Sequence, residues 1–418
     1  MKVLLKQATI VDSSSPFNGQ IKDILISEGI IHSIADTINE PADTVIEERG
    51  IHVSIGWMDI FAQFCDPGFE YRETLETGAK AAAAGGFTDV IVMANTNPAI
   101  HTKSQVEYIL QKSLALPVSI HPAGAVTKNT EGKELAEMYD MHASGAIAFS
   151  DGNNSIQSPG ILLKALQYTL AFDGTIIQVP DDKSINAQGL ISEGIISTQL
   201  GLPGKPAIAE ELMIARDIEL VKYTGSKIHF TGISTQKSIE LIAKAKADGL
   251  HVSCSVSPYH LNFCDEDLTT YDTNLKVNPP LRTKADMLAL REALKKGIID
   301  CVASHHIPQN TDSKICEFEY AKNGMIGLET MFGAIAAHAA SIESLVQSLA
   351  ITSRKIFGLS IPEIKPGAQA KLTLFNPATE FVFEESMIQS KSKNSAFIGK
   401  KLKGKVTGII NGKSLYQN

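Results

Sequence analysis

Between residues 54 and 364 the chain repeats one alternation. Short apolar runs rich in β-branched residues take turns with longer stretches of helical period. The runs are "GWMDIFAQF", "FTDVIVMA", "VSIHPAGA", "GAIAFS", "GTIIQVP", "KIHFTGIS", "HVSCSVSP" and "IIDCVASHH". Between them lie stretches such as "ETLETGAKAAAAGG", "SQVEYILQKSLA" and "TQKSIELIAKAKADG". In the last, Ile239, Ile242, Ala243 and Lys246 fall near a 3.6-residue period, and Gly249 marks its end. Eight strands with intervening helices predict an α/β chain folded as a (β/α)8 barrel. An open doubly wound sheet would need a glycine-rich phosphate loop after its first strand, and none is present.

The flanks read differently. Residues 1–53 hold short β-rich runs ("KVLLKQATIV", "KDILISEG", "IIHSIAD", "DTVIEERG"). Residues 365–418 return to that pattern with "AKLTLFNP" and "GKVTGIINGKSLYQ", where Asn411-Gly412 predicts a hairpin turn. Both ends together predict a small β-sandwich domain beside a barrel spanning 54–364. With 44% hydrophobic residues the 418-residue chain buries a sizeable core, and a net charge of -8 argues against a nucleic-acid backbone as partner. Five scattered cysteines without C-x-x-C spacing suit a reduced, cytoplasmic protein. No apolar run is long enough for a bilayer span and no secretory leader opens the chain, so no membrane partner is expected.

Barrel chemistry sits at the C-terminal strand ends. On the first strand Asp59, Phe61 and Gln63 share a face by alternation and point into the mouth. Strand four ends on Ser150-Asp151, strand five on Gln178, strand six near Gly232 and strand eight on His305-His306. A catalytic zinc needs three protein ligands from His, Cys or carboxylate, and this set supplies few. Asp151, His305, His306, His260 and Cys65 are the remaining donors. Of the two adjacent histidines only one enters the mouth, and His229 is expected outside the barrel. Asp181-Asp182 reads as a solvated loop or helix cap, and Cys65 as a lone loop thiol. "NPPLR" (Asn278 to Arg282) and "MANTNP" (Met93 to Pro98) are polar loop segments suited to a small ligand or to turns.

Long ordered stretches carry a resemblance: "ETLETGAKAAAAGGFTDVIVMANTNP", "SEGIISTQLGLPGKPAIAEE", "DLTTYDTNLKVNPPLRTKADMLALREALKKGIID", "GMIGLET" and "SKSKNSAFIGKKLKGKV". Nearly end to end, the chain resembles the dihydroorotases of the amidohydrolase superfamily, hydrolases of a cyclic amide in pyrimidine biosynthesis. The resemblance implies a zinc-dependent barrel beside a β-domain built from both termini. It also marks departures. The family's Asp-x-His-x-His is Asp59-Ile60-Phe61-Ala62-Gln63 here. Its strand-five His is Gln178, its strand-six His is Gly232, and its metal-binding, proton-shuttling Asp is His305. Asp151 remains as a donor in a segment one Asp shorter, the substrate-clamping Arg is Cys65, and Asn95 and Asn278 match other pocket residues.

The reading that follows is a catalytically inactive homologue with no catalytic residue and no metal or cofactor. By resemblance its partner is aspartate carbamoyltransferase, whose assembly dihydroorotase-like chains without zinc ligands support; a homodimer is also in keeping with the family. Two alternatives stay open. One is an active cyclic amidohydrolase converting dihydroorotate and water to N-carbamoyl-aspartate, with a zinc site rewired around Asp151 and His305. The other is a non-catalytic barrel that binds a pyrimidine intermediate through Asn95 and Asn278.

Overall fold

A computed structural model describes residues 1–418. Five strands open the chain: β1 (Lys2–Val11), β2 (Ile21–Ser27), β3 (Ile30–Ala35), β4 (Thr44–Glu47) and β5 (His52–Ile55). Strand–helix alternation follows with β6 (Trp57–Ala62), α1 (Leu75–Ala84), β7 (Phe87–Val92), α2 (Lys103–Ser113), β8 (Ser119–Gly124), α3 (Met138–Ala143), β9 (Ala148–Phe149), α4 (Pro159–Thr169) and β10 (Thr175–Gln178). An excursion holds β11 (Ile191–Ser192), α5 (Ile195–Leu200) and β12 (Gly204–Lys205). The alternation resumes with α6 (Ile208–Thr224), β13 (Lys227–Thr231), α7 (Gln236–Ala247), β14 (Val252–Val256), α8 (Pro258–Asn262), α9 (Lys284–Lys295) and β15 (Cys301–Val302). Short helices α10 (Met331–Ile335), α11 (Ile342–Val346) and α12 (Ser353–Ile356) lead to β16 (Lys371–Val382), β17 (Lys401–Asn411) and β18 (Ser414–Gln417).

All eight expected barrel strands form, in the order β15-β14-β13-β10-β9-β8-β7-β6, every neighbour parallel. A parallel bridge between Ala62 and His306 joins the first strand to the last, and the Gln63 N–H donates to the His306 carbonyl at 2.9 Å. Strands β6 and β7 are buried at every residue, which a parallel sheet covered by helices on one face and filled on the other requires. The helices start where short polar side chains satisfy free N–H groups. Thr74 caps α1, Ser158 with Pro159 opens α4, and Thr235 caps α7. Ile239 and Ile242 are the buried face of α7 as the period predicts.

Both ends of the chain share one sheet, ordered β18-β17-β16-β5-β1-β2-β3, with β4 branching onto β1. The halves meet where Ile55 of β5 pairs antiparallel with Leu372 of β16. Trp57 begins the barrel at this seam. Its ring is fully buried among Phe87, Phe332 and Phe375, with centroids at 6.3, 4.9 and 5.3 Å, and its indole N–H donates to Ser54 Oγ at 3.0 Å. The predicted hairpin joins β17 to β18, with Gly412 at φ +58 as the first turn residue and Asn411 still in the strand. No helix is long and apolar enough to cross a membrane, and all five cysteines are free.

Candidate active site

The barrel interior is filled by a cluster that includes Met58, Ile60, Phe61, Ile91, Met93, Ala123, Ala148, Ile177, Cys301 and Ala303. Strict alternation along the first strand fails. The β6–β7 register shifts between Asp59 and Ala62, so Met58, Ile60 and Phe61 all join this inner cluster. Asp59 does not open into the mouth with them. Its carboxylate accepts from the Ser304 N–H at 2.6 Å and Ser304 Oγ at 2.7 Å, and burial raises its pKa.

Phe61 stacks on His305, ring centroids 4.4 Å apart and planes at 20°. Gly232, at φ +69, also borders that imidazole. A Cβ there would stand 2.6 Å from His305 Cε1 and 3.3 Å from Pro279 Cδ. The His305 ring therefore occupies the space into which a side chain at 232 would project. As expected, the adjacent histidines diverge. His306 turns away to Glu73 Oε2 at 3.3 Å, and Glu73 is further held by Ser390 Oγ and the Lys391 N–H.

His229 corrects the sequence reading, which put it outside the barrel. Strand β13 turns His229 and Thr231 inward, and a line of hydrogen bonds joins them. His305 Nε2 lies 2.8 Å from Thr231 Oγ1, Ser255 Oγ donates to Thr231 Oγ1 at 2.8 Å, and His229 Nε2 lies 3.0 Å from Ser255 Oγ. Ser253 Oγ meets His229 Nδ1 at 2.8 Å. Burial depresses His305 and His229 to about 3, so both imidazoles are neutral near pH 7. His260 is likewise pushed down to about 4, between Ser257 Oγ and the carbonyls of Pro279 and Pro280.

The other ligand positions are spent or turned aside. Gln178 reaches Asp217 of α6, its amide donating to Oδ2 at 3.3 Å. Gln63 is buried with its Nε2 unpartnered. Asp151 accepts from the N–H groups of Val126 and Thr127, both at 2.9 Å, and from Thr127 Oγ1 at 2.5 Å, while burial raises it to about 6. Nowhere do three His, Cys, Asp or Glu side chains converge in a way that could hold a metal ion. The residues present do not fit the zinc centre that the resemblance implies.

The substrate-pocket positions are tied down too. Asn95 donates to the Asp151 carbonyl at 3.0 Å and accepts from the Asn153 N–H at 3.3 Å. Cys65 Sγ accepts from Arg72 Nη2 at 3.2 Å; its thiol is pushed up to about 11 by burial and has no base beside it. Asp181 is not the solvated carboxylate expected from sequence. It is buried, and Lys205 of β12 donates to its Oδ2 at 2.6 Å and to Asn278 Oδ1 at 3.2 Å. Deeper, buried Glu210 accepts from the Ser234 and Thr235 N–H groups at 2.8 and 3.2 Å, and Arg282 Nη2 lies 3.9 Å away. Sequence reasoning missed Arg72, Lys205 and Glu210, and singled out Arg282 only as the end of the polar NPPLR segment. Lys205 sits between Gly204 and Pro206, with nothing in that stretch to mark its side chain. No local cue names its partners, 24 and 73 residues away.

Comparison with known proteins places this architecture. A family model described as dihydro-orotase-like matches residues 52–238. The chain is 37% identical over 425 residues, covering all of both chains, to a protein named dihydroorotase from Syntrophus aciditrophicus (strain SB). It is 39% identical over 427 residues to one of the same name from Caldanaerobacter subterraneus subsp. tengcongensis, covering 100% of this chain and 98% of the relative. The L-hydantoinase (dihydropyrimidinase) of Arthrobacter aurescens superposes with a TM-score of 0.87 at 24% identity, over 100% of this chain and 96% of its own, a likeness of fold. By full-length similarity the chain belongs to the dihydroorotase-like family, on a (β/α)8 barrel with a β-domain built from both termini.

Proposed function

We propose that this protein is a non-catalytic dihydroorotase homologue of the cytoplasm that acts as an assembly partner of aspartate carbamoyltransferase in pyrimidine biosynthesis. One observation carries the first part: Phe61, His305 and Gly232 interlock as packed core where the family places metal ligands. The family's hydrolysis needs a hydroxide, and a metal supplies it by lowering the pKa of bound water from 15.7 to about 7. Around this mouth the carboxylates of Asp59, Asp151 and Asp181 are each bound to protein donors, and three imidazoles are neutral and enclosed. What supports the second part is the resemblance, since a barrel relieved of catalysis keeps its outer surface for assembly.

Two measurements test the reading. Protein expressed with added zinc and purified without chelator is expected to hold far less than one equivalent of metal and to leave dihydroorotate unchanged. Mixed with aspartate carbamoyltransferase from the same organism at micromolar concentration, it is expected to co-elute on size exclusion. Stoichiometric zinc with metal-dependent turnover would overturn the first part, and separate elution the second.

A further inference from the structure

At the barrel end opposite the mouth, four segments bring charged groups together. Asp89 comes from β7, His121 from β8, Arg354 from α12 and Lys371 from the first residue of β16. The Asp89 carboxylate has every direction filled. Oδ1 accepts from Lys371 Nζ at 2.7 Å and lies 2.9 Å from His121 Nε2, while Oδ2 accepts from Arg354 Nη2 and from Thr88 Oγ1 at 2.9 Å. Arg354 also donates to the carbonyls of Gly56 and Ala350, both at 2.6 Å, and to Thr88 Oγ1 at 3.3 Å.

The charges do not balance. Arg354 and Lys371 bring two positive charges against the one negative charge of Asp89, and no other carboxylate pairs with either. At the rim Lys365 is paired with Glu363 and adds nothing. The surplus faces a cavity of about 310 Å3 between the barrel and the connection that leads into β16. Lys371 and His121 keep 21% and 20% of their side-chain surface exposed there, and Ser360 and Gln369 stand on its wall. Of the three Lys371 N–H groups one is spent on Asp89 and a second reaches Ser119 Oγ only at 3.5 Å, so at least one is free for a further acceptor. With two cations sharing one carboxylate the cluster keeps one surplus positive charge, and an anion in the cavity offsets it.

We propose that this cavity is a binding site for a small oxyanion of phosphate type, held by Lys371 with Arg354 behind it, remote from the family's catalytic mouth. Two sources share that chemistry, free phosphate and the phosphate group of a nucleotide. The size of the cavity, at the lower end of those that hold small ligands, admits the group with part of an attached sugar.

The test is thermal unfolding of the full chain in inorganic phosphate or a nucleoside monophosphate, each against sodium chloride at the same ionic strength. Phosphate is expected to raise the midpoint saturably at millimolar concentration, because a ligand of the folded state alone stabilises it. Lys371→Met keeps the aliphatic stem and removes the surplus charge; it is expected to weaken the apparent affinity at least about tenfold, as a lost charge-assisted contact does. Ser360→Glu leaves the Asp89 cluster intact, puts a negative charge on the wall and is expected to abolish the response, which keeps the test decisive if Lys371→Met fails to fold. A nucleotide shift about tenfold more sensitive than that of phosphate identifies the nucleotide as the source; equal sensitivity identifies free phosphate. A phosphate response no larger than that of chloride, or one unchanged in Ser360→Glu, overturns the proposal.

Discussion

Replacing Gly232 by alanine tests whether the mouth has become core. The new methyl meets two costs. The backbone at φ +69 suits glycine, and any other residue there loses about 1 kcal/mol. The methyl would also sit 2.6 Å from His305 Cε1, so the imidazole must shift, loosening its stack on Phe61 and its 2.8 Å contact with Thr231. Overpacking of this kind costs about 1–3 kcal/mol, so the total is about 2–4 kcal/mol. Only the second cost depends on His305. The double variant Gly232→Ala/His305→Ala is therefore expected to fall short of the sum of the single effects by about 1–3 kcal/mol. Urea unfolding followed by the emission of Trp57, the chain's single tryptophan, reads all three variants. A Gly232→Ala change below about 0.5 kcal/mol, or additivity within that margin, would refute the packing account. The same geometry means that Gly232→His alone is not expected to restore a metal ligand.

Asp151→Ala is expected to cost about 2–4 kcal/mol in urea, because it orphans two buried N–H groups and a hydroxyl, and to leave the zinc content unchanged. Arg354→Met leaves Asp89 short of its most buried partner, and a loss of about 3 kcal/mol in the same assay is expected. Acid stability follows from buried titratable groups. His229, His305 and His260 are depressed to about 3, 3 and 4, so each binds its proton in the unfolded chain first and loses stability as the pH falls below about 6.5. Asp151, Asp217 and Glu329 are raised to about 6, 6 and 7, so each takes its proton in the folded chain first and gains stability as the pH falls toward about 4. These contributions oppose one another between about pH 6 and 4.5; below about pH 4 the histidine loss is joined by that of Asp89 and Glu73, whose carboxyls the fold holds below their ordinary values. Thermal midpoints are expected to stay nearly level down to about pH 4.5 and then drop steeply; a steady decline from pH 7 would contradict the assignment of these groups.

The barrel was legible because its signal is local. An apolar run such as "FTDVIVMA" states that both faces of a strand are covered, and the spacing of Ile239 and Ile242 gives the buried side of a helix. The Asn411-Gly412 hairpin was readable for the same reason. The interior was less so. A register shift in β6 brings Phe61 inward without Asp59, and no pattern within six residues announces it. Parity at the end of β13 was misjudged because Gly232 leaves the strand in a left-handed conformation, so counting back from it placed His229 on the wrong side. Asp181 with Lys205, and Asp89 with Arg354, pair across 24 and 265 residues. Such contacts belong to the closed barrel, and the charged residues alone look like ordinary surface.

The sheet shared by both ends also imposes an order on synthesis. Strand β5 leaves the ribosome with one edge on β1, and the partner for its other edge, β16, is more than three hundred residues away. At about 5–20 residues per second, that edge waits on the order of tens of seconds with its N–H and C=O groups unpaired. The barrel between them can close in that interval, since all eight of its strands precede β16. The last fifty residues then act as a clasp, and until they arrive the first strands are the part of the nascent chain most open to pairing with the wrong edge.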